Sequence, residues 1–259
     1  MSAALAELLG LSQAALFVGF VTFLRVGAAM ALIPAFGEQV VPARVRLVLA
    51  LAFTAIVAPA IGDRLAPLAD RAGGLPVWFL SEIGIGLLLG MLLRMFIMAL
   101  QIAGMIAAQA ASLSQLFGGT GGEPQPAVSN LLVAAGLAVA VHLGLHIKLA
   151  QVLIGSYAAL PPGAFPDGAL VRSWGLSGVG QAFTLGFSIA APFLIAGLIY
   201  NVALGAINRA MPQLMVAFVG APALTAGGLV LFALALPGGL ALWHGAFDQF
   251  LANPFTVMP

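Results

Sequence analysis

His142 and His146 stand four apart in the run HLGLH, a spacing that brings two imidazoles to one face of a helix and suits a metal ion. The run lacks the glutamate of a zincin helix, and no third ligand is evident, so the pair reads as hydrogen-bonded packing and no metal is expected. Cysteine is absent, which removes thiolate nucleophiles, disulfides and cysteine metal sites. Ser112 and Ser114 have no base nearby in sequence. The glycines at 118, 119, 121 and 122 lack the Lys-Ser/Thr that closes a phosphate loop. Neither an enzymatic activity nor a cofactor is expected.

The remaining candidates are charges set in apolar sequence: Arg25, Glu82, Arg94, Lys148 and Arg209. One charge at mid-bilayer costs about 2.5–3.5 kcal/mol on insertion scales, so each must face protein, face water or reach the interface. Glu82 and Lys148 read as interfacial. For Arg25 and Arg94 a protein-facing role is weighed equally with that one. Glu82 and Arg94 would lie about 18 Å apart along one helix, too far to pair with each other.

Those residues belong to a chain made mostly of hydrocarbon. Hydrophobic residues form 62% of it and charged ones 7%, with a mean hydropathy of +1.14. A soluble domain is about a quarter charged, so this chain cannot clothe a water-facing surface and reads as a polytopic membrane protein. A formal net charge of +1, with no long basic or acidic run, argues against a nucleic-acid partner and leaves the lipid bilayer as the surroundings. No basic residue precedes Arg25, which predicts a retained first span acting as its own insertion signal.

Six apolar stretches stand out, at 11–34, 45–60, 77–101, 127–153, 179–207 and 214–243. Each is near the ~20 residues that cross a bilayer. Backbone groups in lipid must be satisfied within the chain, and the runs lack the alternation of barrel strands, so they read as helices. The third stretch continues amphipathically to Phe117. As one helix from Pro76 it would exceed about 60 Å, so it breaks, with a kink near Gly104, or projects from the membrane. The loop with Arg44 and Arg46 assigns to the inside, yet Arg64, Arg71 and Arg172 on the opposite side equal Arg44, Arg46 and Arg209 in number. Gly86 with Gly90, Gly180 with Thr184, Gly197 with Asn201, and Asn201 with Gly205 are small-xxx-small pairs that predict close helix packing. The expected organisation is one polytopic membrane domain over 1–259, all α-helical.

Two stretches interrupt the oil. Residues 107–126 hold Gly118, Gly119, Gly121 and Gly122, followed by Glu123-Pro124-Gln125-Pro126, which forbids a continuous helix. Leu113, Leu116 and Phe117 lead into it, so this hairpin tip is either a plain membrane loop or a flap that closes something. Residues 201–222 carry Asn201, Asn208, Arg209 and Gln213 between apolar runs, with Pro212 enforcing a break. On its own, that second stretch reads as a capped hairpin.

The second stretch resembles the signature of the FliR family of flagellar biosynthesis proteins, of the type III export gate. The matching residues are Asn201, Ala203, Leu204, Gly205, Asn208, Arg209, Pro212, Gln213, Leu214, Gly220 and Pro222. Arg25, Pro34, Phe36-Gly37, Pro42-Ala43-Arg44-Val45-Arg46 and Pro59 agree too, as do Glu82-Ile83-Gly84-Ile85-Gly86 with Gly90, Gly144 with His146, and Leu160-Pro161. The resemblance runs in order along nearly the whole chain. Met105, Gly118-Gly119 and Ala221 depart from the family pattern.

The resemblance implies a multi-pass protein of the bacterial inner membrane, within the flagellar basal body. Its kinked helical hairpins would pack in a spiral around an export pore with FliP- and FliQ-like sisters, and with FlhB- and FlhA-like subunits. Unfolded flagellar substrates would pass through that pore. The resemblance further implies a pore plug at Leu113, Leu116, Phe117, Gly118, Gly119, Gly121 and Gly122. Arg25, Arg44, Arg46, Glu82, Arg94, Asn201, Asn208, Arg209 and Gln213 are the candidate assembly and packing residues. The injectisome counterpart is a neighbouring reading. The competing class is a secondary transporter with Pro-broken helices around Arg94 or Glu82, against which stand the lack of an inverted repeat and the scarcity of polar residues.

Overall fold

The computed structural model describes residues 3–38, 40–69, 77–110, 127–211 and 216–255. All regular structure among the described residues is helical: α1 Ala3–Met30, α2 Ala43–Ala69, α3 Val77–Ala110, α4 Ala127–His142, α5 Leu145–Ala159, α6 Gly168–Ala210 and α7 Val216–Ala252. Five of these helices are long and apolar enough to cross a membrane, and α4 with α5 can make a sixth span as a bent pair. The chain is therefore a multi-pass helical membrane protein, as the apolar stretches predict.

Three stretches differ from expectation in their ends. The third runs as one helix through Gly104 as far as Ala110, with no break there. The fourth is not one helix. Gly144 takes a left-handed conformation (φ 85°) and caps α5, so the apolar run is broken between α4 and α5. That backbone shape strains any residue with a Cβ, which is why glycine breaks an otherwise apolar run here. The fifth stretch begins earlier than its apolar run, at Gly168, where the Asp167 carboxylate accepts from the Ala169 amide (3.3 Å) and caps the helix start.

Two compact units form. The first comprises the chain up to Met95, Leu143–Gly178 and the residues from Phe250 on. Within it α1 and α3 run side by side in the same direction: Phe17 meets Trp78 (5.5 Å between ring centroids) and Phe20 meets Phe79 (5.4 Å). Farther along, a Cβ at Gly86 would strike the Arg25 carbonyl oxygen, and one at Gly90 would lie 2.7 Å from that of Ala29. The small-xxx-small pair at 86 and 90 is thus a groove for the α1 backbone, the close approach that only glycine allows. Hydroxyls on these oily helices turn back onto their own carbonyls, Thr22 to Val18 and Thr54 to Ala50, each at 2.7 Å, which satisfies both O–H groups within their helices.

The second unit comprises Phe96–His142 and Val179–Gln249. Its axis is the latter part of α3. Ser129 of α4 donates to the Gln101 carbonyl (3.3 Å) and packs on Gly104. From α6, Gly186 lies against Ile102 and Gly197 against Ala110. From α7, the Trp243 indole N–H donates to the Phe96 carbonyl (2.8 Å), with Phe247 stacked beside it. Phe193 of α6 meets Phe232 of α7 at 6.1 Å. Of the other small-xxx-small positions, Gly180 and Gly205 have open space around them.

Candidate functional site

Arg25 lies in the last third of α1 and Glu82 in the second turn of α3, and both are fully buried. Gly86 sits one turn after Glu82 on the same face. By admitting the α1 backbone it brings the guanidinium within reach of the carboxylate. The contact is bidentate: Nε donates to Oε2 at 2.7 Å and Nη2 to Oε1 at 3.1 Å. The expectation of an interfacial Glu82 is therefore corrected, since the carboxylate is buried and charge-paired within the protein.

The rest of the guanidinium is satisfied from α5 and the turn after it. Nη1 donates to Ser156 Oγ (3.1 Å) and Nη2 to the Leu160 carbonyl (3.1 Å). The Tyr157 ring covers the guanidinium at 3.7 Å from its centroid, a cation–π contact. The Gly163 amide donates to Glu82 Oε1 (3.1 Å), giving the carboxylate a second source of hydrogen bonds. Leu160 can offer its carbonyl because α5 ends at Ala159 and Leu160 is followed by Pro161 and Pro162, which cannot extend the ladder. One buried cation thus ties together α1, α3, α5 and the turn after α5.

Arg94 is placed differently. Its Nη1 lies 3.3 Å from Glu38 Oε1, with about a third of the Arg94 side chain and a quarter of Glu38 exposed (33% and 23%). Glu38 follows a tight turn in which Ala35 is left-handed (φ 68°) and the Gly37 amide donates to the Ile33 carbonyl at 2.7 Å. Arg44 and Arg46 occupy the first turn of α2, Arg44 exposed and Arg46 half-buried. Asn201, Asn208 and Arg209 lie exposed on the last turns of α6 and make no hydrogen bond to the described residues. Gln213, together with Leu113, Leu116, Phe117, Gly118, Gly119, Gly121 and Gly122, lies outside the described residues.

His142 and His146 do not share a helix face. His142 ends α4, His146 opens α5, and the left-handed Gly144 stands between them. Among the described residues no three His, Asp or Glu side chains gather closely enough to hold a metal ion. Sequence reasoning missed Ser156, Tyr157, Gly163 and Glu38 as partners. Only Leu160-Pro161 carried a local signal, a proline stop that frees carbonyls; the others are ordinary residues made important by distant neighbours.

Fold and site define a polytopic helical membrane protein whose buried ionic groups brace helices against one another. The chain belongs to the bacterial export proteins, family 1, whose model matches residues 16–250. It is similar to the flagellar biosynthetic protein FliR of Caulobacter vibrioides, 33% identical over 91% of this chain and 94% of that one. The FliR proteins of Pectobacterium carotovorum and Escherichia coli are 30% and 28% identical, each comparison covering 84% of both chains.

Proposed function

We propose that this chain is a non-enzymatic structural and gating subunit of the flagellar type III export channel in the bacterial inner membrane. Its partners are FliP- and FliQ-like subunits, with FlhB- and FlhA-like components beside them. Likeness to three FliR proteins along most of their length supports the flagellar assignment. The observation that carries the need for partners is the end of α6. Leu194, Ile195, Leu198, Ile199 and Val202 are exposed there together with Asn201, Asn208 and Arg209. Lipid would cover the apolar residues but cannot hydrogen-bond the amides. Gly205 lies between the two asparagines with nothing among the described residues within 4 Å, so a neighbouring helix can approach the backbone closely.

In this reading residues 113–126 close the resting pore. Leu113, Leu116 and Phe117 exclude water and ions, and the glycines at 118, 119, 121 and 122 let the segment swing aside for an unfolded substrate. The test is conductance in cells that assemble the complex. Phe117→Ala, or deletion of residues 118–122, raises ion leakage while the complex still co-purifies. Unchanged conductance with normal assembly refutes the plug. A chain that purifies without companions and binds a solute by itself refutes the subunit role and favours a secondary transporter.

A further inference from the structure

A groove of about 410 Å³ opens between α1, α2 and α3, walled by Phe23, Gly27, Ala31, Leu47, Ala50 and Ile83, with Arg46 at its lining. The Arg46 Nε is buried yet has no hydrogen-bond partner among the described residues. No carboxylate among the described residues pairs with Arg46 or with its exposed neighbour Arg44: Glu38 is taken by Arg94 and Glu82 by Arg25. A cationic donor left unmet in an apolar wall is costly, and satisfaction from outside the chain removes that cost.

We propose that this groove holds one anionic phospholipid, an acyl chain lying against α1, α2 and α3 and the phosphate on Arg46 and Arg44. Three observations on the same spot specify that occupant. The walls are hydrocarbon, which fits an acyl chain. The orphan Nε belongs to a guanidinium, which recognises phosphate oxygens. Both arginines stand in the first turn of the candidate span Ala43–Leu65, so they sit where a spanning helix meets the headgroups. A basic pocket between membrane helices at that depth is a lipid-headgroup site on chemical grounds. The start of α2 adds the positive end of a helix beside the phosphate.

The test uses the full chain with its co-purifying subunits, delipidated in mild detergent and titrated with phosphatidylglycerol or phosphatidylcholine. Native mass spectrometry counts the lipids retained. The expected result is one phosphatidylglycerol per chain that phosphatidylcholine does not replace. Arg46→Gln weakens its retention about fivefold, the effect of one interfacial basic residue on an anionic lipid. Arg46→Lys, which keeps the charge, restores most of it. Ala31→Trp, on an exposed groove wall, blocks uptake without touching the arginines. Equal retention of the two lipids, or retention unaffected by Arg46→Gln and Ala31→Trp, overturns the proposal. So does a photo-crosslinker at Ala31 that captures a neighbouring subunit and no lipid.

Discussion

Replacing Glu82 by Leu removes the only carboxylate on Arg25 among the described residues and leaves a buried guanidinium holding two neutral oxygens, Ser156 Oγ at 3.1 Å and the Leu160 carbonyl at 3.1 Å. Both members of the pair are fully buried, so neither solvent nor salt screens the loss. Breaking such a pair from one side costs about 3–5 kcal/mol, because the remaining charge stays desolvated and uncompensated. Arg25→Met leaves Glu82 with the Gly163 amide alone and falls in the same range. The double substitution removes both charges and fills the space with hydrocarbon. It should therefore cost less than either single change. The assay is denaturant unfolding of the detergent-solubilised protein followed by tryptophan fluorescence, since Trp78 and Trp174 both pack in the unit that holds the pair. Additive single effects, or singles below about 1 kcal/mol, would refute the claim that the two charges depend on each other.

Two further outcomes follow from local geometry. Gly86→Ala puts a Cβ against the Arg25 carbonyl, backbone that cannot turn aside, and should destabilise by about 1–3 kcal/mol, whereas Gly205→Ala, in open space, should change the stability of the chain by less than about 0.5 kcal/mol. The same unfolding measurement separates them, and equal effects would count against the α1 groove. Arg94→Gln should cost only about 0.2–1 kcal/mol, because the pair with Glu38 is partly exposed, and the difference from wild type should shrink in high salt.

How much was legible differs from residue to residue. Composition alone forces a helical membrane protein: with 7% charged residues no water-facing surface can be covered, and in lipid a chain must close its hydrogen bonds within its own helices. The pair at Gly86 and Gly90 was legible as a close-packing face, because spacing and side-chain size are local properties. The break at Gly144 was not, since glycine is common in this chain and sits inside helices elsewhere, as at Gly104 and Gly186. Only the surrounding packing selects which glycine turns left-handed.

The ionic residues show the same division. Sequence singled out Arg25, Glu82 and Arg94 because a charge in an apolar run must be answered by something. It could also exclude a Glu82–Arg94 pair, since both lie on one helix too far apart. Which charge answers which was decided by the tertiary structure alone. Arg25 finds Glu82, and Arg94 finds Glu38, across gaps of more than fifty residues. Pairing is a matter of distance in space, and that distance is set by how closely α1 beds into the glycines of α3.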